Sequence, residues 1–105
     1  MKNIKFFYIT TPNKKEAEQI AKKLLDKKLI ACANIISNVS SYFVWQNKTK
    51  NSKEIIICGK TTSTNQTKII QAVKSLHSYS VPCVIFLDIT NGNKDFLKWI
   101  KQSVT

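Results

Sequence analysis

Few side chains in this chain could carry chemistry: one histidine, three cysteines and six acids among 105 residues. The single histidine, His77, excludes a metal site built from several histidines of one chain. Cys32, Cys58 and Cys83 form no C-x-x-C pair, and each lies in an apolar run, which is typical of reduced, packed thiols. The acids show no spacing typical of general acid–base catalysis. We therefore expect no catalytic residues and no enzymatic activity.

The charge of the chain is strongly positive, with a formal net charge of +11 at pH 7. All 17 cationic side chains are lysines, whereas a protein that binds phosphate groups is expected to use some arginine. RNA-recognition modules stack bases on aromatic residues of their central strands, and the segment 53–62 has none. We expect no nucleic-acid partner, and the lysines are typical of a solvated surface.

Membrane association is not expected either. The longest uncharged apolar run, 80–87, is far shorter than the roughly 20 residues that cross a bilayer as a helix. Unpaired cysteines are typical of a reducing compartment. Together with an N-terminus that leads directly into a strand-like run, they predict a cytoplasmic protein.

The hydrophobic periodicity predicts seven elements that would position these side chains. Alternating or continuous apolar runs predict strands over 4–10, 31–46, 53–62 and 81–89, the last buried on both faces. Apolar residues at helical spacing predict helices after Asn13, after residues 63–65 and after Asn93. The acids of the first helix, Glu16, Glu18 and Asp26, are expected to face solvent. Asn38 indicates a bulge, and the polar segment 46–52 predicts a hairpin turn.

The order of these elements, βαββαβ with a C-terminal helix, is typical of a ferredoxin-like α+β fold. The whole chain, 1–105, is predicted to form one domain around an antiparallel sheet. Two helices would cover one face of that sheet. The other face must be solvated, bind a ligand or pack against another subunit.

Five segments, in this order and spacing, resemble the CutA family of divalent-cation tolerance proteins. They are 31–36 (Ala-Cys-Ala-Asn-Ile-Ile), 42–45, 60–61, 77–79 and 96–100. The resemblance implies a ferredoxin-like subunit and a homotrimer held together by a long, projecting hairpin of the second and third strands. The aromatic residues expected at that trimer interface are Tyr42, Phe43, Trp45 and Trp99.

The same resemblance implies binding of a divalent metal, with copper as the first candidate. His77 matches the family's His-x-Tyr position and Cys32 matches its Ala-Cys motif, so both are candidate metal ligands. Two other interpretations stay open: His77 as a polar residue at a helix end, and Cys32 as a buried, inert thiol. The family's usual acids are replaced here by Ser80, Cys83 and Gln46, which depletes the oxygen ligands.

A second function hypothesis follows from the similarity of this architecture to the trimeric PII signalling proteins. In that case an inter-subunit cleft would bind a small anionic ligand. The cleft residues would be Asn34, Lys60 and Tyr79 beside His77, with Lys60 supplying the positive charge.

Overall fold

The computed structural model describes residues 3–105, which form one antiparallel sheet of four strands and three α-helices. In chain order the elements are β1 (Ile4–Thr11), α1 (Lys14–Asp26), β2 (Cys32–Trp45), β3 (Lys48–Thr62), α2 (Gln66–Leu76), β4 (Val84–Asp88) and α3 (Lys94–Ser103). The strands lie in the order β2-β3-β1-β4, and each neighbouring pair is antiparallel. The predicted ferredoxin-like α+β fold is confirmed.

The hydrophobic core lies between α1, α2 and one face of the sheet. Its fully buried members include Phe7, Ile9, Ile57, Ile20, Leu24, Ile69 and Val73. Side chains of a strand alternate between faces, so every second residue of β1 and β3 reaches this core and the others face away. Helix α1 starts at the predicted cap, where the Asn13 Oδ1 accepts a hydrogen bond from the Glu16 amide at 2.8 Å.

The β2–β3 hairpin is longer than the sequence predicts. Pairing continues to Trp45 and Lys48, so the turn consists of Gln46 and Asn47 alone. Both have positive φ (51° and 64°), as a two-residue type I′ turn requires. The predicted turn over 46–52 is wrong, because the polar residues 48–52 form a solvent-exposed part of β3. The predicted bulge is confirmed by the register shift at Asn38, whose φ is 62°.

Strand β4 is shorter than predicted and is not buried on both faces. It covers Val84–Asp88, and Ile85 and Leu87 are 49% and 55% exposed. The expectation fails because α1 and α2 cover only the face that bears Val84 and Phe86. No helix in the described part of the chain, 3–105, has both the length and the apolar character needed to cross a bilayer.

Candidate functional site

A cluster of buried polar side chains lies near the C-terminal end of β1, at Thr10, which pairs with Ile56 of β3. We call it the Thr10 end of the sheet. The first turn of α1 and the segment 77–83, which links α2 to β4, meet there. The residues that they bring together are His77, Glu16, Tyr79, Glu54 and Cys83.

His77 ends α2, and its side chain is fully buried. Its Nε2 lies 2.7 Å from the carbonyl oxygen of Thr10, and its Nδ1 accepts a hydrogen bond from the Tyr79 amide at 3.0 Å. A neutral imidazole with its proton on Nε2 satisfies both contacts. Both ring nitrogens are therefore engaged within the chain.

The carboxylate of Glu16 lies beside this imidazole. Its Oε2 is 3.3 Å from the His77 Nδ1, and it accepts hydrogen bonds from the amide and the hydroxyl of Ser78, at 3.2 and 3.1 Å. Only 14% of the side chain is exposed, so the expectation of a solvent-facing Glu16 is wrong. The carboxylate thus lies in the first turn of α1 and accepts two hydrogen bonds from the segment that follows α2.

Tyr79 connects His77 to a second acid, Glu54, which is buried. Its ring centroid is 4.7 Å from that of His77, and its hydroxyl donates a hydrogen bond to the Glu54 Oε2 at 2.8 Å. Burial, and next the hydrogen bond to the Glu54 carboxylate, raise the pKa of Tyr79 to about 12. Glu54 is only 7% exposed. The phenol thus acts as a neutral donor to a carboxylate at physiological pH.

A groove opens beside this pair and has a volume of about 660 Å³. We call it the Glu54 groove. Its lining includes Tyr42, Phe43 and Trp45 of β2, Glu54 of β3, and Tyr79 and Cys83 of the segment 77–83. Burial raises the pKa of the Cys83 thiol, and hydrogen bonds with Thr10 act in the opposite sense but weigh less. Cys83 therefore contributes a neutral thiol to the groove.

Two of the predicted site residues lie at the opposite end of the sheet. Cys32 pairs with Lys60, which pairs with Phe6 of β1. The Lys60 Nζ lies 5.9 Å from the centroid of the Phe96 ring, which stacks on Trp99 at 5.3 Å.

Four strand positions separate Phe6 from Thr10, which is about 13 Å along the sheet. Within one chain the structure therefore does not bring Cys32 and His77 together as ligands of one metal ion. The predicted anion cleft is divided in the same way, with Lys60 at one end and Tyr79 at the other. Asn34 lies between them, exposed and opposite Cys58.

Residues 3–105 contain no group of three or more histidine, cysteine, aspartate or glutamate side chains arranged to hold a metal ion. The largest such grouping at the Thr10 end is the His77–Glu16 pair. Two side chains are fewer than such a group needs, and the two neighbouring atoms, Nδ1 and Oε2, already accept hydrogen bonds within the chain.

Sequence reasoning missed Glu16 and Glu54 as members of the site. The first looks like a solvent-facing helix residue, and the second like an isolated acid in an apolar strand. Glu54 could have been recognised from the sequence. A charged residue directly before four apolar positions of a central strand needs a partner, which marks it as a candidate site residue.

The four predicted interface residues are all exposed in the single chain. Tyr42 is 74% exposed, and Phe43, Trp45 and Trp99 are each 40–42% exposed. The first three project on the hairpin, whose length gives the molecule a longest dimension of 43 Å.

The chain is similar to known proteins along almost its whole length. Residues 5–103 match the family described as CutA1 divalent ion tolerance protein. The divalent-cation tolerance protein CutA of Archaeoglobus fulgidus is 43% identical over 94% of this chain and 96% of its own length. The crystal structure of CutA1 from Ehrlichia chaffeensis has a TM-score of 0.89 at 40% identity, covering 98% of this chain and 96% of its own.

A Thermus thermophilus protein, described as divalent cation tolerance protein (Cut A1), has a TM-score of 0.95. It is 33% identical and covers 97% of this chain and 99% of its own. The fold and these matches define a domain of the ferredoxin-like α+β class. This chain belongs to the CutA1 divalent ion tolerance protein family.

Proposed function

We propose that this protein is a homotrimer that binds divalent cations, copper first among them, and that it acts in divalent-cation tolerance as a binding protein without catalytic activity. The observation that carries the proposal is the contact between the buried His77 and the largely buried Glu16. In the neutral imidazole, the Nδ1 and the Glu16 Oε2 are two electron-rich atoms 3.3 Å apart, with the one lone pair of the Nδ1 accepting the Tyr79 amide. Such an arrangement favours a cation between them.

The distance between these two atoms also suits a metal ion. Nitrogen and oxygen donors lie about 2.0–2.2 Å from Zn²⁺ or a metal of similar size, so two donors of one tetrahedral site are roughly 3.0–3.5 Å apart. Imidazole is a good ligand for copper and zinc. A metal at this pair has to displace the Tyr79 and Ser78 amide donors, so binding would be accompanied by movement of the segment 77–79.

The exposed hairpin supports the trimer. Strand β2 forms an edge of the sheet over 14 residues, and an edge strand of that length with exposed aromatic residues promotes association. Closed, symmetric assemblies cover such surfaces without leading to open-ended growth. A trimer would also bring three copies of the His77–Glu16 pair into one particle.

The charge at the Thr10 end favours the cation over the anionic ligand of the second hypothesis. Tyr79, one of the proposed anion-cleft residues, donates its hydroxyl to the Glu54 carboxylate, and Glu16 lies close by. Lys60, which would supply the positive charge, is about 13 Å away along the sheet. An anion beside Tyr79 would meet two carboxylates, so metal binding is the better-supported proposal.

A copper titration by isothermal calorimetry tests the proposed ligands. His77→Gln keeps an amide that can donate to the Thr10 carbonyl, but it removes the imidazole. We expect copper affinity to fall at least about tenfold in His77→Gln and in Glu16→Gln. Cys32→Ser is the matched control and should bind like the wild type, because Cys32 lies at the other end of the sheet. Unchanged copper affinity in His77→Gln would overturn the assignment of the site.

A further inference from the structure

The segment between β4 and α3 contains the one asparagine of the chain that a glycine follows, Asn91, with Gly92 after it. Both residues are exposed, and the segment 89–93 forms neither helix nor strand. The Gly92 amide donates a hydrogen bond to the Asn91 Oδ1 at 2.9 Å, so the side chain is folded back onto its own backbone. Within residues 3–105, no other hydrogen bond engages the backbone of Thr90, Asn91 or Gly92. The carboxamide and the next peptide nitrogen are therefore adjacent, and little restrains their relative movement.

This contact places the nucleophile and the electrophile of a spontaneous reaction side by side. The Gly92 nitrogen lies next to the carboxamide of Asn91, whose carbon Cγ it can attack. The χ2 torsion of asparagine has a broad energy profile, so rotation about it turns the face of the carboxamide towards the nitrogen without a change of fold. Glycine has no Cβ, so no side chain shields the attacking nitrogen.

We propose that Asn91 converts spontaneously to aspartate and isoaspartate through a cyclic imide formed with Gly92. In the first step the Gly92 nitrogen loses its proton and bonds to the Asn91 Cγ, and the side-chain nitrogen takes up a proton and leaves as ammonia. Water then opens the ring at either carbonyl carbon. One opening gives aspartate, and the other gives isoaspartate, in which the main chain runs through Cβ and Cγ.

This modification site is independent of the other proposals. Asn91 and Gly92 belong neither to the His77–Glu16 pair nor to the four residues expected at the trimer interface. The reaction joins two adjacent residues and needs only one water molecule for its second step. It therefore depends neither on metal binding nor on a surface that stays open in an assembly.

The two products differ in their effect on α3. Asn93 caps this helix, and its Oδ1 accepts a hydrogen bond from the Phe96 amide at 3.0 Å. Aspartate at position 91 adds a negative charge near the positive end of the helix dipole, which is favourable. Isoaspartate also lengthens the main chain by one methylene group close to the cap. We therefore expect isoaspartate, and not aspartate, to loosen the first turn of α3.

Ageing of the whole chain in mildly alkaline buffer, followed by cleavage after lysine and mass spectrometry, tests the proposal. The peptide 75–94 contains both Asn91 and Asn93, so Asn93, which precedes Lys94, is an internal control. We expect Asn91 to lose its amide at least about tenfold faster than Asn93, because the side chain of Lys94 shields the nitrogen that would attack there. Fragment ions should assign isoaspartate as well as aspartate to position 91.

Gly92→Ala tests the role of the attacking nitrogen. It should slow the loss of the Asn91 amide about tenfold, since it adds a Cβ beside that nitrogen. The fold should remain, because this Cβ would lie 3.3 Å from the Leu97 Cδ2, at the flexible end of a side chain.

Three results would overturn the proposal. Equal loss of the amides of Asn91 and Asn93 would show that Gly92 gives no advantage. Aspartate at position 91 without isoaspartate would show direct hydrolysis by water in place of a cyclic imide. Equal rates in Gly92→Ala and the wild type would contradict attack by the Gly92 nitrogen. The comparison within one peptide needs no variant, so the test remains valid even if Gly92→Ala fails to fold.

Hydrogen exchange of the Phe96 amide tests the effect on α3, with Asn91→Asp as the control of equal charge. We expect faster exchange in the aged chain than in Asn91→Asp, because only the aged chain contains isoaspartate. Equal exchange in the two proteins would contradict the loosening of α3.

Discussion

The hydrogen bond between Tyr79 and Glu54 makes a measurable contribution to stability, and Tyr79→Phe removes it without changing the shape of the ring. The hydroxyl donates at 2.8 Å to a carboxylate that is 7% exposed. Hydrogen bonds to charged groups contribute about 1.5–3 kcal/mol. The Glu54 groove lets water reach the carboxylate after substitution, so we expect a loss near the lower end, about 1–2 kcal/mol.

The effect of Tyr79→Phe should depend on pH, with a sign set by the raised pKa of Tyr79. The folded pKa is about 12 and the ordinary value is 10.0. The phenol therefore stabilises the fold fully below pH 10, and this stabilisation is lost as the pH rises through 12. The wild type should exceed Tyr79→Phe in stability at pH 7–9, and the difference should vanish towards pH 12.

Urea unfolding, followed by circular dichroism at one fixed protein concentration, measures this difference. The concentration must be fixed because association contributes to apparent stability. Tyr42→Phe serves as the control, since it removes the hydroxyl of a residue that is 74% exposed in the single chain and keeps the ring that the proposed trimer interface needs. Equal free energies of unfolding of Tyr79→Phe and Tyr42→Phe at pH 7 would contradict a stabilising hydrogen bond. A difference between the two free energies that persists unchanged above pH 12 would contradict the role of the raised pKa of Tyr79.

Substitutions at three further positions test how the sequence determines the fold around the site. Gly59→Ala should destabilise the protein by about 3 kcal/mol in urea unfolding, because a Cβ would overlap the Cys32 carbonyl oxygen and lie 2.8 Å from the Phe7 ring. A stability within 0.5 kcal/mol of the wild type, roughly the spread of neutral surface changes, would contradict this packing. Asn13→Ala should cost about 1 kcal/mol by the same measurement, since it removes the α1 cap, whereas Asn13→Ser should retain most of the stability. Asn47→Gly should leave stability unchanged or raise it, because φ is 64° at this position. Asn47→Val should lower the melting temperature, because a β-branched residue is strained at positive φ. Equal melting temperatures of Asn47→Gly and Asn47→Val would refute the type I′ turn.

The order of the elements follows from the sequence because each has a clear period. Helix α1 has its buried residues at positions 17, 20, 21 and 24, and the sequence shows that spacing directly. The cap at Asn13 and the bulge at Asn38 are local as well, so residue type alone predicts them. The start of β3 is different, because residues 48–52 are polar on both faces of an exposed hairpin and have no alternation to detect.

The candidate site was harder to predict because its contacts are distant in sequence. Glu16 and Ser78 are 62 residues apart, and Tyr79 and Glu54 are 25 apart. Neither pairing leaves a periodic signal, so the sequence does not predict that either acid lies beside the candidate residues His77 and Tyr79. The distance between Cys32 and His77 also depends on strand register, which places Cys32 opposite Lys60 and Thr10 opposite Ile56.

Native mass spectrometry with and without added copper tests the central proposal most directly, on the wild type and on His77→Gln. The account predicts a wild-type species near three times 12.0 kDa that gains copper, and a His77→Gln species of the same size that gains far less. A monomer near 12.0 kDa would contradict the trimer. A trimer that takes up equal copper in both proteins would contradict metal binding at the His77–Glu16 pair.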